Sequence, residues 1–136
     1  MTVFAATTPA LPSADVERSI AFYRDVLGFE VVHSEDSFAI VRRDDAAIHL
    51  WGATDESWHD RSDWERPIVS GAESFLAGTA SCRVQVSGVD ALYALCDARG
   101  VVHPNAHIQD TSWQTREFGV LDPDGNLIGF WEERQS

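Results

Sequence analysis

Five histidines and two cysteines are the side chains of this sequence best suited to acid–base, nucleophilic or metal chemistry. His59 is followed directly by Asp60, so an imidazole and a carboxylate lie side by side and could act as an acid–base pair. The surrounding stretch is strongly polar, which favours solvated surface charge as the simpler interpretation. Cys82 and Cys96 form no Cys-x-x-Cys motif and are expected to be reduced thiols that pack as small hydrophobic side chains.

The short motifs that mark common catalytic sites are absent from the sequence. It has no His-Glu-x-x-His, no Gly-x-Ser-x-Gly, no phosphate-binding loop and no dinucleotide-binding glycine pattern. Three other histidines fall in predicted loops or near strand ends, where surface exposure is the usual outcome: His33, His103 and His107. The sequence therefore gives no support to the catalytic mechanisms that these four motifs mark.

Tryptophan is unusually frequent, with five residues in a chain of 136. An aromatic ring of this size buries about 150–250 Å² and stacks well on a flat ligand. Trp51 and Trp131 are expected in the core or an interface, because they occupy strands that correspond to each other in a repeat described below. Trp113 has polar neighbours and is expected on an exposed loop, which favours a role in ligand binding.

The charge balance restricts the possible partners. The net charge is −12, so nucleic acids and anionic membranes are not expected partners, because both attract positively charged proteins. A cationic ligand is compatible with this charge, although an acidic surface also serves solubility alone. No apolar run is long enough to span a membrane. The N-terminal stretch lacks basic residues and is interrupted by Pro9 and Pro12, so a cytoplasmic location is expected.

An internal repeat organises these residues into two related halves. Residues 38–51 align with residues 118–131 at a constant offset of 80, and each copy is predicted to form a hairpin. The turns fall at Asp44-Asp45 and at Asp124-Gly125, and Asp-Gly is a strong hairpin signal. The matching hydrophobic pairs are Phe38 and Phe118, Ile48 and Ile128, and Trp51 and Trp131.

A helix is predicted before each hairpin. The first begins after the capping residue Asp15 and ends at Gly28. The second has apolar positions at Val89, Leu92, Tyr93 and Leu95 and ends at Gly100. Strands are predicted before the helices, at residues 3–11 and 81–86, and after them, at residues 30–33 and 101–103. Each copy therefore has the order β-α-β-β-β.

These elements predict one α+β domain covering residues 1–136. The first module covers about residues 1–53, a connecting loop residues 54–79, and the second module about residues 80–136. Gly28 lies ten residues before Phe38, whereas Gly100 lies eighteen before Phe118. The extra eight residues are placed around residues 105–113, in an exposed loop that contains Trp113.

Two motifs bracket nearly the whole chain and resemble those of the vicinal oxygen chelate superfamily. Residues 15–29 resemble its first-helix signature, and Asp122-Pro-Asp-Gly-Asn126 resembles its closing hairpin. Within that superfamily the bleomycin resistance proteins are the most similar, through residues 8–11, 38–45, 88–93 and 113–118. They usually have Gly after the loop Trp, where this chain has Gln114. The resemblance implies two modules whose curved mixed sheets form an open cleft.

The resemblance also indicates where enzymes of the superfamily hold a divalent metal. The corresponding positions are Thr8, His49, Ser81 and Gly129. The internal repeat supports this placement, because Thr8 and Ser81 differ by 73 residues and His49 and Gly129 differ by 80. Such a metal needs about three good nitrogen or oxygen donors, and only His49 is one. We therefore expect no metal, no cofactor and no catalysis, with His49 as a polar wall of the cleft.

The resemblance implies a homodimer that sequesters an antibiotic. In bleomycin resistance proteins a Phe of one subunit and a loop Trp of the other sandwich the bithiazole, and the matching residues are Phe38 and Trp113. For Phe38, core packing remains an equal alternative, because Phe118 has the same repeat position. The further expected ligand-binding residues are His49, Trp51 and Arg116. Pro9 falls where the N-terminal strand crosses to the partner, so a strand-swapped dimer is expected.

The expected ligand is a planar, cationic, glycopeptide-type antibiotic. An acidic cleft would steer such a cation inward, and the candidate acids are Glu35, Asp36, Asp55, Glu56 and Asp60. Two alternatives stay open at this point. One is a metal-dependent enzyme of the glyoxalase or dioxygenase type, and the other is a protein that binds an unrelated aromatic metabolite.

Overall fold

The computed structural model describes residues 1–53 and 76–135. Within these ranges the elements are β1 Ala10–Ser13, α1 Val16–Asp25, β2 Glu30–Glu35, β3 Phe38–Arg43, β4 Ala46–Gly52, β5 Ser81–Gln85, α2 Val89–Ala98, β6 Gln109–Asp110, β7 Thr115–Leu121 and β8 Leu127–Glu133. Neither of these two helices is long and apolar enough to cross a membrane. Several sequence predictions lie outside the described residues: Asp55, Glu56, Trp58, His59, Asp60 and Trp64.

The strands form two four-stranded sheets of the same topology, in the orders β1-β4-β3-β2 and β5-β8-β7-β6. In each sheet the strand before the helix pairs in parallel with the last strand, and the remaining neighbours are antiparallel. The α+β class and the repeated β-α-β-β-β order are confirmed. The strand predicted at residues 101–103 is reduced to a single bridge between Val102 and Val120.

The first strand begins later than the sequence predicted. The expected strand covered residues 3–11, but β1 starts at Ala10, which pairs with His49. The amide of His49 also donates to the carbonyl of Pro9 at 3.0 Å, which is the last hydrogen bond along this edge in the described part of the chain. The side chains of Val3 and Phe4 are highly exposed. Residues 1–8 therefore form an arm outside the first sheet.

Both helices occupy the positions predicted from their end signals. Asp15 caps α1 by accepting from the amide of Arg18 at 3.2 Å, and Gly28 ends this segment with a φ of +73°, as expected for a glycine C-cap. The N-terminus of α2 has no side-chain cap of its own. Instead, the Glu132 carboxylate on β8 accepts from the amides of Gly88 and Val89 at 2.9 and 3.2 Å. Leu95, predicted on the apolar face of α2, is exposed.

One face of each sheet packs against a helix and forms the core. In the first sheet the buried side chains are those of Ala39, Val41, Ile48 and Leu50, and in the second they include Phe118, Val120, Ile128 and Phe130. Because side chains alternate along a strand, their neighbours project to the opposite side. We call these sides the first open face (Phe38, Ile40, His49, Trp51) and the second open face (Ser81, Arg83, Glu117, Gly129, Trp131).

The constant offset of 80 between the hairpins is wrong for one strand. Phe38 pairs with Trp51, and the residue that pairs with Trp131 is Glu117. The offset is therefore 80 between β4 and β8 but 79 between β3 and β7. Phe38 corresponds to Glu117, and Phe118 faces the core. The insertion before β7 is accordingly seven residues, because Glu117 follows Gly100 by seventeen.

A longer second turn is the physical reason for this difference. Four residues separate Arg42 from Ala47, which pair across the first hairpin. Five residues separate the corresponding pair, Leu121 and Leu127. A shift of one residue moves every side chain of a strand to its other face. The alignment at an offset of 80 matched Phe38 with Phe118 and therefore placed both side chains on the same face. In the structure they lie on opposite faces.

The second turn also joins the two modules. Asp124 accepts hydrogen bonds from the Ala14 amide and the Arg18 side chain, at 3.0 and 2.9 Å. Asp122 accepts from the hydroxyl of Tyr23 at 2.9 Å. Burial, reinforced by the Asp122 carboxylate, holds the pKa of Tyr23 far above its ordinary value. The Asp-Pro-Asp-Gly-Asn motif thus fixes the second hairpin against the start of α1.

Candidate functional site

Three of the predicted ligand-binding side chains form an aromatic cluster on the first open face. The ring of Phe38 lies 4.8 Å from that of Trp51 and 5.2 Å from that of His49, between centroids. Register explains the cluster, because Phe38 and Trp51 are directly paired across β3 and β4. Trp51 is 45% exposed. The cluster is therefore a partly open aromatic surface, and the repeat argument for placing Phe38 in the core no longer holds.

An acidic edge adjoins this cluster. The ring of His33 lies 5.8 Å from that of Phe38, and its Nε2 is 3.0 Å from the Glu35 carboxylate. Glu35 pairs with Phe38 across β2 and β3, and the neighbouring Asp36 is exposed. The structure thus places Glu35 beside the aromatic cluster and Asp36 in the exposed turn that follows it.

The second open face carries an ion pair beside a tryptophan instead of an aromatic cluster. A cleft of about 250 Å³ lies on it, lined by residues that include Ser81, Arg83, His107, Gln109, Glu117 and Gly129. The Arg83 guanidinium donates to the Glu117 carboxylate at 2.7 Å and lies 5.7 Å from the centroid of Trp131. Trp131, expected in the core or an interface, is half-buried on this face. The two open faces therefore differ in chemistry although their backbones correspond.

The superfamily metal positions do not provide a suitable set of donors. The pairs Ala10 with His49 and Arg83 with Gly129 correspond in the two sheets, which supports the repeat register behind those positions. Thr8 is exposed ahead of β1, and His49 lies in the aromatic cluster. No group of three or more His, Cys, Asp or Glu side chains among residues 1–53 and 76–135 could hold a metal ion. One imidazole and two hydroxyl groups do not fit a divalent ion.

The cysteines do not provide a nucleophile in the cleft. Cys96 is buried and Cys82 is partly buried, and both are free thiols. Burial, together with the Asp122 carboxylate, raises the pKa of Cys82 to about 11. Since the thiolate is the reactive form, Cys82 is held in its unreactive state at neutral pH. Both cysteines pack as the small hydrophobic side chains that the sequence predicted.

Trp113 is presented at the tip of a turn before β7, and its side chain is 60% exposed. Hydrogen bonds fix the turn: the amide of Thr111 donates to the carbonyl of Thr115, and that of Arg134 to the carbonyl of Gln114, each at 2.8 Å. Gln114 adopts a φ of +68°, a left-handed conformation that favours glycine. The turn thus has the backbone of a glycine turn at the position where the resembling family usually has Gly.

Arg116 lies apart from the aromatic cluster. Its side chain projects from the helix side of β7 and forms ion pairs with Asp90 at 2.9 Å and Asp110 at 3.0 Å. Within the described residues, Trp113 has no ring contact with Phe38, His49 or Trp51. The structure of one chain therefore brings together three of the five predicted ligand-binding residues.

Sequence reasoning missed several residues that shape the site. Arg83 follows Ser81 by two residues on a strand, so strict alternation would have placed it on the same face. The incorrect offset of 80 aligned Phe38 with Phe118, so Glu117 was not recognised as the residue that corresponds to Phe38. No local signal connects Glu132 with the α2 N-terminus, because that contact joins residues 44 apart in sequence.

Comparison with known proteins identifies similar chains. The family model of the glyoxalase/bleomycin resistance protein/dioxygenase superfamily matches residues 5–130. A bleomycin resistance protein of Geobacillus stearothermophilus is 50% identical over 128 residues, which cover 94% of this chain and 96% of that protein.

Two solved structures are also similar. The bleomycin-binding protein of the bleomycin producer Streptomyces verticillus, complexed with copper(II)-bleomycin, matches with a TM-score of 0.70 and 27% identity over 100% of both chains. A lactoylglutathione lyase from Agrobacterium tumefaciens shares the fold, with a TM-score of 0.72 and 22% identity over 94% of this chain and 92% of that one.

Proposed function

The chain belongs to the glyoxalase/bleomycin resistance protein/dioxygenase superfamily, and from that premise we propose that it sequesters bleomycin or a related planar, cationic glycopeptide antibiotic in the cytoplasm. The single observation that carries the proposal is the partly open aromatic cluster of Phe38, His49 and Trp51, which occupies a metal position of the superfamily's enzymes. Flat rings can stack there, whereas the donors for a catalytic metal are insufficient. Free thiols agree with a reducing compartment.

The binding site is completed by a second protomer. Phe38 of one protomer and Trp113 of its partner stack on the planar part of the antibiotic. Support comes from the exposure of Trp113 and from its separation from the aromatic cluster within one chain. Arg116 binds beside Trp113, because it lies near the start of β7 and Trp113 lies in the turn that leads into this strand.

The exposed arm of residues 1–8 supports a homodimer. Phe4 is 96% exposed and Val3 is 77% exposed, and large hydrophobic side chains left open in this way mark an interface. Just beyond the arm, Pro9 stiffens the chain by fixing φ. We infer that the arm lies on the partner protomer, so that the dimer is obligate.

Charge complements the aromatic surface. The chain carries a net charge of −12, and Glu35 and Asp36 lie at the edge of the first open face. This field attracts a cation and accelerates its association at low ionic strength. Stacking then slows its release, because each aromatic pair adds roughly 0.5–1.5 kcal/mol beyond area burial.

A fluorescence titration with copper-free and copper-loaded bleomycin tests the proposal. We expect saturable quenching of tryptophan emission at one ligand per protomer, with the dimer mass checked by sedimentation equilibrium at the same concentration. Phe38→Ala and Trp113→Ala should each weaken binding by roughly tenfold, which is the loss of about 1.4 kcal/mol of stacking and burial. Leu95→Ala, which truncates an exposed side chain on α2, serves as the control and should leave binding unchanged.

Two outcomes contradict the proposal. One is the absence of any saturable response from the unmodified protein to either form of bleomycin. The other is one stoichiometric divalent ion per protomer in protein purified without chelator, because that result would favour a metal-dependent enzyme.

A further inference from the structure

Arg83 lies on the second open face beside Gly129, one of the superfamily metal positions. It pairs directly with Gly129 across β5 and β8. The Cγ of Arg83 lies only 3.7 Å from the point where a Cβ on Gly129 would be. The stem of the arginine therefore covers the glycine, and a positively charged guanidinium stands at the side of the sheet where the enzymes would hold a metal ion.

Several contacts fix the guanidinium in one place. Its Nη2 donates to the Glu117 carboxylate at 2.7 Å, and the same carboxylate oxygen accepts from the hydroxyl of Thr115 at 2.7 Å. The Cζ of Arg83 lies 5.7 Å from the centroid of Trp131, within the range of a cation–π contact. A planar donor held in this way loses little entropy when it binds a ligand.

The guanidinium also remains available to a ligand. The Arg83 side chain is 54% exposed, whereas that of Glu117 is 22% exposed. A guanidinium has five N–H donors in a planar group. The contact with Glu117 uses only the Nη2 atom of Arg83, so donors on its other nitrogens remain for a ligand. The cleft of about 250 Å³ beside it is lined by apolar residues such as Ala106 and Leu127 and by three further polar side chains: Ser81, His107 and Gln109.

We propose that Arg83 is a specificity-determining residue that binds a neutral carbonyl oxygen, of the amide type, on the ligand. A neutral group fits because Glu117 balances the charge of Arg83 and because the net charge of −12 disfavours anions. The inference rests on the proposed function, since it assigns the polar part of the same ligand to the second open face. The planar part stays with the aromatic residues.

Bleomycin binding by Arg83→Met and Arg83→Lys tests this assignment. Methionine keeps an apolar stem and removes the charge, and we expect affinity to fall about tenfold or more, as for the loss of charge-assisted hydrogen bonds. Lysine keeps the charge but lacks the planar fork, so it should restore little of the affinity. Arg24→Met is the matched control, because Arg24 is also about half exposed, at 53%, and is paired with Asp25 at 2.8 Å. Arg24 lies on α1, which packs on the core face of the first sheet and not on its open face. This variant should bind as the unmodified protein does.

The possible results separate this inference from the proposed function. If the unmodified protein binds bleomycin and Arg83→Met, with an unchanged thermal midpoint, binds within twofold of it, the inference is wrong and the proposed function stands. Full rescue by Arg83→Lys would also overturn the inference, because it would show that the site needs only a positive charge and not the planar donor group of arginine. If the unmodified protein does not bind bleomycin, the proposed function itself fails.

Discussion

Replacement of Asn126 by alanine is expected to be among the most destabilising single changes in the chain. Asn126 is fully buried in the turn between β7 and β8. Its amide nitrogen donates to the Pro12 carbonyl at 2.8 Å and to Asp122 at 3.0 Å. Its oxygen accepts from the amides of Gly78 and Ala80 at 3.1 and 3.2 Å. Asn126→Ala removes all four bonds together.

The magnitude follows from the groups that lose their partner. Each bond contributes about 1 kcal/mol, and a buried group left unpaired costs about 1–3 kcal/mol. Because the amide partners are only partly buried and can recruit water, the sum is about 3–5 kcal/mol. For a domain of this size the thermal midpoint should fall by roughly 10–20 °C.

Urea unfolding and calorimetry at one fixed protein concentration measure this loss. The concentration must be held constant because the proposed dimer would unfold in a concentration-dependent way. Asn105→Ala is the matched control, since Asn105 is the only other asparagine in the sequence and its side chain is exposed. The reasoning is refuted if Asn126→Ala costs less than about 1 kcal/mol, or no more than its control.

Two further predictions concern single positions. Gln114→Gly should stabilise the protein by roughly 0.5–1 kcal/mol, because it removes the strain of a left-handed residue at a φ of +68°. The glycine also increases the entropy of the unfolded chain, which opposes this gain by a smaller amount. A lower urea midpoint would contradict the prediction. Cys82 has a pKa raised to about 11 by burial. The folded state therefore retains the proton longer than the unfolded state, and stability is lost as the pH rises from about 9 to 11, by roughly 1–3 kcal/mol. Cys82→Ala should reduce the slope of the stability profile in that window, although the buried Tyr23 hydroxyl still contributes above about pH 10. An unchanged profile would contradict the assignment.

Local signals in the sequence were sufficient for most of the elements. Asp15 and Gly28 mark the ends of the first helix because capping depends on neighbouring backbone groups. The first strand was predicted too early because residues 3–9 have suitable side chains for a strand. A strand also needs a neighbour, and within the described chain β4 reaches only as far as Pro9.

The candidate site was harder to predict because it depends on which face a side chain occupies. Phe38 and Phe118 are the same residue type and align at the offset of 80. Identity of residue type does not fix the face, however, because successive side chains of a strand point to opposite faces. The alternation from Glu117 to Val120 contained the signal: Phe118 and Val120 face the core, so Glu117, one residue before Phe118, must face away from it. Long-range contacts such as Tyr23 with Asp122 had no sequence signal, because they depend on how the modules pack.

The repeated fold carries two dissimilar open faces because the residues at corresponding strand positions differ. At corresponding positions the first open face has Phe38 and His49, and the second has Glu117 and Gly129. The stem of Arg83 lies over Gly129, and Glu117 supplies the carboxylate that holds the guanidinium. A symmetric metal site would have required similar donors in both modules. Once the two faces diverge, one can stack a planar ring and the other can hydrogen-bond a polar group, and these are complementary tasks in capturing one ligand that has both parts.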